Sequence, residues 1–288
     1  MMIEKKMELN NGAKIPQLAM GTWLISDDKV AEPVSTAIRL GYRHIDTAQA
    51  YGNEAGVGEG IRRSGIARED IFITSKVAAE NKSYDSAKAS IDHTLELMGL
   101  DYIDMMIIHS PQPWKEVNQS ECRYFAENRE VWRAMEDAVA EGRIKTIGVS
   151  NFLKEDIDNI LESCRIKPAV NQVLAHISNT PIDLIRYCQE KGIAVEAYSP
   201  VAHGEALKNP LIREMAKKYK VTPAQLCIRY CLQLNLITLP KATSEAHLRE
   251  NAEVDFEITD EDMQTLLNCE HIKDYGDASF FPVYGGKL

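Results

Sequence analysis

The segment GYRHIDTAQAYGNE, residues 41–54, reads as a short β-strand that breaks at an acidic side chain and is soon followed by a tyrosine. Two later segments have the same form, IFITSKV (residues 71–77) and DYIDMMIIHSP (residues 101–111). Apolar, β-branched runs of this length are typical of parallel strands that are buried on both faces. Their polar ends are predicted to meet at the carboxyl edge of one sheet or barrel, and these ends are Asp46, Tyr51, Lys76 and His109.

The rest of the chain alternates strands with amphipathic helices. Strands are predicted at Leu18–Gly21, His44–Asp46, Ile71–Lys76, Ile103–His109, Thr146–Ser150, Val170–Val173, Ala194–Tyr198 and Ile237–Pro240. Helices are predicted at Asp28–Leu40, Tyr84–Met98, Glu130–Glu141, Lys154–Cys164, Ile182–Lys191 and Thr222–Leu232. Eight strands with intervening helices and no linker favour one (β/α)₈ TIM barrel domain of the α/β class over residues 1–288, with an open doubly wound sheet as the alternative.

The first residues of the chain predict a β-hairpin ahead of the barrel. Asn10-Asn11-Gly12 has the composition of a tight turn between two short strands. We expect this N-terminal hairpin to cap the bottom of the barrel.

The composition and net charge of the chain limit the classes of partner that it can bind. The chain has 288 residues, of which 44% are hydrophobic and 26% charged, and a formal net charge of −10. This charge and the lack of clustered Lys and Arg argue against nucleic acid or an anionic membrane as a partner. No apolar run has the length of a signal-peptide core or a membrane span, so we expect a cytoplasmic protein, and we expect it to be a monomer. Six cysteines without CxxC spacing predict neither a disulfide framework nor a metal site.

A glycine-rich run, Gly56-Val57-Gly58-Glu59-Gly60, resembles a dinucleotide-binding loop only in part. Ile61 occupies the third glycine position of GxGxxG, and the run does not directly follow a strand. We predict that these glycines serve close packing on a helix surface. Any nucleotide would then bind without the glycine-rich phosphate-binding loop of a Rossmann fold.

The four polar strand ends have complementary chemistry for proton transfer. A free phenol has a pKa of about 10, which makes it a reluctant acid at neutral pH. An ammonium beside Tyr51 would lower that pKa, and a carboxylate would keep the ammonium charged, roles that Lys76 and Asp46 can fill. A neutral His109 could hold a substrate oxygen. Taken singly, each residue is better explained as a turn or cap, a strand-end charge or a rim side chain. Only the four together, on three consecutive strands, favour a proton-transfer site.

The three segments resemble the signature regions of the aldo-keto reductases. The resemblance extends from LNNGAKIPQLAMGTW (residues 9–23) to LPKATSEAHLREN (residues 239–251) and follows the family's order throughout. It implies a (β/α)₈ barrel that uses a nicotinamide dinucleotide, usually NADPH, to reduce a carbonyl to an alcohol. It also implies a catalytic tetrad of Asp46, Tyr51, Lys76 and His109, with Tyr51 as the general acid.

The same resemblance implies a set of cofactor-binding residues. Ser150, Asn151 and Gln172 would hold the nicotinamide carboxamide, Tyr198 would stack on the ring, and the next three residues would line the pyrophosphate. The full implied set is Gly21, Thr22, Ser150, Asn151, Gln172, Tyr198, Ser199, Pro200, Val201, Lys241, Ala242, Thr243, His247, Glu250 and Asn251.

Two residues near the adenosine end depart from the family pattern. Ala242 replaces a usual serine, and His247 stands where an arginine is usual. A 2′-phosphate would thereby lose one hydroxyl donor and exchange a permanent planar cation for an imidazole. Since Lys241 is kept, we expect NADPH as the cofactor, with NADH as the alternative. Arg249 could compensate if its side chain reaches back.

The substrate site implied by the resemblance consists of Trp23, Tyr51, His109 and Ser110. Ser110 replaces a tryptophan that often follows the catalytic histidine, so we expect a wider and more polar cleft. The loop at Pro111–Asn128, with Trp114, Tyr124 and Phe125, is expected to form part of this cleft. The C-terminal SFFPVYGGKL (residues 279–288) is expected to form only a small lid.

The sequence therefore predicts an NADPH-dependent reductase of a small-molecule carbonyl, whether a dicarbonyl, a keto-sugar or an aromatic aldehyde. Two alternatives stay open at this stage. Lys76 could be the Schiff-base nucleophile of a lyase. The protein could instead be a regulatory or redox-sensing protein that binds cofactor and turns over slowly.

Overall fold

The computed structural model describes residues 1–285, in which eight parallel strands form a nearly closed barrel and two further strands form a separate antiparallel hairpin. The strands are β1 (Lys6–Glu8), β2 (Lys14–Pro16), β3 (Met20–Gly21), β4 (His44–Asp46), β5 (Phe72–Val77), β6 (Ile103–Ile108), β7 (Ile144–Ser150), β8 (Val170–Leu174), β9 (Ala194–Tyr198) and β10 (Ile237–Leu239).

Helices connect the strands on the outside of the barrel. They are α1 (Asp27–Arg39), α2 (Glu54–Ser64), α3 (Tyr84–Met98), α4 (Phe125–Ala140), α5 (Lys154–Leu161), α6 (Ile182–Glu190), α7 (Pro210–Tyr219), α8 (Pro223–Gln233), α9 (Glu245–Ala252) and α10 (Asp260–Leu267).

The barrel closes between its first and last strands. Strands β3 to β10 pair in chain order, and a parallel bridge joins Leu18 to Thr238. The amide of Ala19 donates to the Thr238 carbonyl at 3.0 Å, and that of Gly21 donates to the Pro240 carbonyl at the same distance. The predicted barrel is confirmed, and the open doubly wound sheet is wrong.

The N-terminal hairpin covers the amino ends of the barrel strands. Strands β1 and β2 pair antiparallel, and Gly12 in the turn adopts φ +82°, which favours glycine. Leu9 and Ile15 pack with Met105 and Val170 from the lower barrel interior. This end of the barrel is therefore closed by apolar packing, which leaves the carboxyl end for a ligand, as predicted.

The glycine-rich run serves close packing, as predicted. A Cβ at Gly56 would lie 2.2 Å from the Asp27 carbonyl oxygen, and one at Gly58 would lie 2.3 Å from that of Met98. Both distances are far below van der Waals contact, so only glycine lets α2 approach its neighbours α1 and α3.

Most element ends agree with prediction to within two residues, but helix α4 differs more. It begins at Phe125 rather than Glu130, because Tyr124 turns the chain at φ +55° and its hydroxyl donates to Glu116 at 2.6 Å. A non-glycine residue with positive φ carries no sequence signal that would have placed this start.

Candidate active site

The structure brings Asp46, Tyr51, Lys76 and His109 together at the carboxyl end of the barrel. Lys76 is fully buried, and its Nζ lies 2.7 Å and 2.8 Å from the two Asp46 carboxylate oxygens. The same Nζ lies 2.7 Å from the Thr47 carbonyl oxygen and 3.2 Å from the Tyr51 hydroxyl. One ammonium thus connects a carboxylate to a phenol.

Loops after β3 and β4 hold this arrangement. The Asn53 side chain is fully buried, donates to the carbonyls of Thr22 and Ile25, and accepts from the Thr47 hydroxyl at 2.7 Å. Thr22 donates from its hydroxyl to the Asp46 carbonyl at 2.9 Å. The backbone that carries Asp46 is therefore fixed on both sides, and a short 3₁₀ turn then places Tyr51 over the barrel.

Burial, rather than the ammonium, dominates the acidity of the phenol. Burial raises the pKa of Tyr51 above its ordinary value of 10, Lys76 lowers it, and Asp46 raises it, with a net rise. The prediction of a lowered pKa is therefore wrong in sign, because an anionic phenolate is poorly solvated in this site. Lys76 offsets part of the burial cost.

Lys76 itself is held in its charged form. Burial lowers the pKa of Lys76, but the Asp46 carboxylate and the Tyr51 oxygen raise it, and the net pKa lies above the ordinary 10.5. The ammonium and carboxylate form a buried ion pair with further hydrogen bonds, which is the condition under which such a pair is tolerated.

His109 is neutral. Burial lowers its pKa well below the usual 6.5, and the Lys76 ammonium acts in the same direction. Its ring makes edge contacts with Tyr51, at 5.6 Å between centroids, and with Trp114, at 4.9 Å. Its Nδ1 is buried without a hydrogen-bond partner among the described residues.

A cavity of about 290 Å³ lies over these side chains. It is lined by Gly21, Trp23, Leu24, Asp46, Tyr51, His109, Trp114, Ser150, Asn151, Gln172, Tyr198, Ser199, Pro200, Val201, His203, Leu239, Lys241, Phe281 and Tyr284. Most of the residues assigned to the site from sequence are in this set. Those that lie off the cavity wall are Thr22, Lys76, Ser110, Ala242, Thr243, His247, Glu250 and Asn251.

Hydroxyl and amide groups cluster at one end of the cavity. The Ser150 hydroxyl donates to the Gln172 carbonyl at 2.9 Å, and the Asn151 amide donates to the His109 carbonyl at 3.0 Å. The Tyr198 hydroxyl donates to the Asn151 side-chain oxygen at 2.7 Å. Asn151 adopts φ +60°, a conformation that asparagine tolerates better than most residues, and this directs its amide inward.

An exposed basic residue also lines the cavity. This residue is Lys241, whereas His247 lies off the cavity wall, exposed in the first turn of α9. Arg249 donates to Glu245, one turn earlier, at 2.9 Å. Arg249 is therefore engaged on its own helix and does not reach back, contrary to the compensation considered from the sequence.

Ser110, which the sequence assigns to the substrate site, does not line the cavity. Ser110 is buried behind the wall, where its hydroxyl accepts from the Gln112 amide, and its carbonyl accepts from Lys82. Trp114, four residues later, places an indole against His109. The expected gain in polarity at the cleft is therefore offset by an aromatic side chain from the loop. Tyr124 and Phe125 do not line the cavity.

The C-terminal segment contributes more than a small lid. Phe281 packs on Trp23 and Trp114, with ring centroids 5.2 Å and 4.6 Å away. The Tyr284 hydroxyl lies 2.6 Å from His203 Nε2 and 3.0 Å from the Ser199 hydroxyl. Residues 286–288 of the predicted lid lie outside the described residues.

Sequence reasoning missed three cavity residues: Leu24, His203 and Leu239. Leu239 ends a barrel strand, and its inward position follows from strand alternation. Leu24 and His203 adopt φ +62° and +54°. Asn151 and Ser199 also have positive φ, so several cavity residues carry backbone strain. No sequence pattern signals these conformations.

Two classes of feature are absent from residues 1–285. No cluster of His, Cys, Asp or Glu there has the arrangement of a metal site. No helix in that part of the chain is long and apolar enough to cross a membrane.

Comparisons with known proteins agree with this geometry. The model of the aldo/keto reductase family matches residues 17–271. An uncharacterised oxidoreductase of Bacillus subtilis, YtbE, is 43% identical over 270 residues, covering 92% of each chain. A glyoxal reductase of the same organism is 38% identical over 266 residues, again with 92% of each chain covered.

Solved structures show the same fold. An aldo/keto reductase from Brucella melitensis superposes with a TM-score of 0.86 at 36% identity, covering 93% of this chain and 98% of that one. A Bombyx mori aldo-keto reductase in complex with NADP superposes with a TM-score of 0.85 at 32% identity, covering 98% and 99%.

Proposed function

The chain belongs to the aldo/keto reductase family of NAD(P)H-dependent oxidoreductases, and we propose that it reduces aldehydes and ketones to alcohols with Tyr51 as the general acid. The observation that carries this proposal is the Tyr51 hydroxyl, which faces the cavity 3.2 Å from the buried Lys76 ammonium. A phenol placed there can donate a proton to a carbonyl oxygen.

The neighbours of Tyr51 support its role as proton donor to a carbonyl oxygen. The Tyr51 phenol is protonated at neutral pH, and its raised pKa is a cost to proton release that the neighbouring Lys76 reduces. As the proton leaves, the Lys76 ammonium stabilises the phenolate, and Asp46 keeps Lys76 charged and oriented. In alcohol oxidation the same phenolate would act as the general base.

His109 is proposed to orient the substrate. Its Nδ1 has no acceptor among the described residues, so the proton of the neutral ring is better placed on Nε2, where the cavity can supply a partner. An Nε2–H donor would hold a carbonyl oxygen beside the Tyr51 hydroxyl. This would position the substrate without a change in the charge of the site.

The residues present fit a nicotinamide cofactor, which supplies the hydride when bound. Ser150, Asn151 and Gln172 provide hydroxyl and amide groups for a carboxamide, and Tyr198 provides a ring beside them. Lys241, an exposed basic residue that lines the cavity, suits the 2′-phosphate of NADPH. We propose NADPH as the preferred cofactor, with NADH accepted less well.

Aromatic aldehydes suit the walls of the substrate region better than keto-sugars do. Trp23, Trp114 and Phe281 face one another there with ring centroids 4.6 to 5.2 Å apart for the contacting pairs. Burying apolar substrate surface against such walls favours binding. The walls offer few hydrogen-bond partners for sugar hydroxyls, which lose hydrogen bonds to water on binding.

The Schiff-base alternative fits the geometry poorly. A nucleophilic lysine must reach its neutral form, whereas the Lys76 Nζ contacts Asp46, Thr47 and Tyr51 and has a raised pKa. A regulatory protein with slow turnover uses the same residues. It differs from the enzyme only in rate and in how tightly it holds the cofactor.

One assay tests the proposal directly. Oxidation of NADPH and NADH is followed with aromatic aldehydes, small dicarbonyls and keto-sugars, and borohydride is added in parallel to trap any Schiff base. Multiple-turnover oxidation of NADPH with no trapped adduct is expected. Adduct formation at Lys76 would establish the lyase, and tight cofactor binding with a single slow turnover would establish the regulatory protein.

We further propose that the whole chain forms one barrel domain, that the protein is a monomer and that it is cytoplasmic.

A further inference from the structure

A side-chain amide bridges two carboxyl groups inside the barrel. Gln172 Nε2 donates to Asp46 Oδ2 at 2.9 Å and to Glu196 Oε2 at 2.7 Å. All three side chains are buried, and Glu196 is not exposed at all. An amide nitrogen has two hydrogens, so both are committed to carboxyl oxygens.

This bridge fixes the orientation of the amide. Reversing the amide would place its oxygen against the Asp46 carboxylate, which has no hydrogen to donate, and would lose that hydrogen bond. Its oxygen is then the atom left for another partner. Because Gln172 lines the cavity, this oxygen is open to an N–H donor of a ligand bound there.

Among residues 1–285, no Lys or Arg forms an ion pair with Glu196. Its Oε1 has no hydrogen-bond partner among the described residues, and the nearest basic nitrogen, His44 Nε2, lies 3.9 Å away. His44 contacts Thr74 at 2.9 Å, and burial lowers its pKa to about 3, so it is neutral. The Lys76 ammonium also acts on Glu196, but it is paired with Asp46.

Two carboxyl groups therefore share the field of one ammonium. Asp46 holds the ammonium directly and is the one that is charged. Burial raises the pKa of Glu196 to about 8, and the neighbouring Asp46 charge acts in the same direction. A neutral acid can still accept the Gln172 N–H, and it adds no second negative charge beneath the proton-transfer groups.

We propose that Glu196 is a positioning residue which, as a neutral acid, holds the Gln172 amide with its oxygen free for the N–H of the nicotinamide carboxamide. The inference rests on the proposed nicotinamide cofactor. Glu196 acts through Gln172 and touches neither cofactor nor substrate. It makes the cavity selective for a carboxamide over groups that only accept hydrogen bonds.

The first test compares two cofactors in three proteins. Quenching of tryptophan fluorescence measures dissociation constants of NADPH and of its acetylpyridine analogue, in which a methyl ketone replaces the carboxamide and no N–H remains. Wild type should prefer NADPH by about threefold to tenfold, the worth of one hydrogen bond. Glu196→Gln keeps an acceptor oxygen and should retain the preference. Glu196→Leu removes it and should reduce the preference to within about twofold.

The outcomes separate the two proposals. A wild-type protein that binds neither dinucleotide overturns the nicotinamide cofactor and this role with it. Normal binding with the same preference in all three proteins overturns only the role of Glu196. Loss of the preference in Glu196→Gln as well as in Glu196→Leu would mean that an amide cannot replace the acid, and the neutral-acceptor account would be wrong.

A second measurement covers the case in which Glu196→Leu does not fold. A carboxyl whose folded pKa is about 8 against an ordinary 4.5 stays protonated in the folded protein while the unfolded chain ionises. Stability is therefore lost as pH rises through this window, by up to about tenfold per pH unit in the unfolding constant. Glu196→Gln should remove that loss when urea unfolding is compared from pH 5 to 8. Identical slopes in the two proteins would show that Glu196 is charged and would overturn the proposal.

Discussion

Beneath the cavity, at a floor formed by Asp46, Tyr51, Lys76, Gln172 and Glu196, polar side chains are hydrogen-bonded to one another. The rim consists of Trp23, Trp114, Lys241 and Phe281 on the cavity wall together with His247 on α9, and these side chains are half-buried or exposed. A charge removed from the floor leaves its partner unpaired in a low-dielectric interior, whereas a change at the rim is compensated by water. The floor therefore fixes the type of reaction, and the rim can vary to choose the cofactor and the carbonyl.

The largest effect is expected at the floor from Tyr51→Phe. This change removes the proton donor and keeps the ring, so kcat with an aldehyde should fall by about 10²- to 10⁴-fold, the usual worth of general acid catalysis. NADPH binding, measured by fluorescence, should stay close to wild type. The control is Tyr124→Phe, which removes a hydroxyl that donates to Glu116 away from the cavity and should leave kcat unchanged. A near wild-type kcat in Tyr51→Phe would remove Tyr51 from the mechanism.

Lys76→Met tests whether the floor behaves as one unit. It leaves the Asp46 carboxylate buried without its cation, so the free energy of unfolding should drop by about 3 to 5 kcal/mol. Lys88→Met breaks an exposed pair with Glu141 at 3.1 Å and should lower the free energy of unfolding far less, because water screens that pair. Urea unfolding of both variants gives the comparison. Equal losses in the two would mean that burial adds nothing to the Lys76 pair.

The sequence predicts the floor more fully than the rim. Asp46, Lys76 and His109 come from strands whose apolar runs and ends are visible in the sequence, so their meeting point follows from barrel geometry. The rim depends on loop conformation. Ser110 is off the cavity wall and Trp114 lies on it, a difference that the sequence does not show because the loop, unlike a strand, has no periodic pattern. The sign of the Tyr51 pKa shift also required the structure, since burial cannot be measured from the residue types alone.

The aromatic rim gives a smaller, substrate-dependent effect. Phe281 packs on Trp23 and Trp114, whereas its neighbour Phe280 is 73% exposed. Phe281→Ala should raise KM for an aromatic aldehyde by about tenfold or more and change kcat little, since burying such a side chain is worth roughly 1.5–3 kcal/mol. Phe280→Ala is the matched control and should behave as wild type. If both variants alter KM equally, the C-terminal segment acts by its backbone and not through the Phe281 ring.

The smallest effect is expected at the cofactor end of the rim, where His247→Arg should shift preference toward NADPH. His247 is exposed in the first turn of α9, and Arg249 is already engaged with Glu245. A permanent guanidinium there can pair with the 2′-phosphate, which NADH lacks. A charge-assisted hydrogen bond is worth roughly 1.5–3 kcal/mol, and exposure places it near the lower end, so about a tenfold gain in the ratio of NADPH to NADH affinity is expected.

Fluorescence titration with both cofactors measures this ratio, and raised salt should reduce the gain because the new pair is exposed to solvent. His93→Arg adds the same charge on the exposed face of α3 and is the control for a general effect of net charge. If His247→Arg tightens NADPH and NADH by the same factor, the guanidinium acts on the pyrophosphate that both share. His247 would then not face the 2′-phosphate, and Lys241 would remain the one rim residue proposed to distinguish the two cofactors.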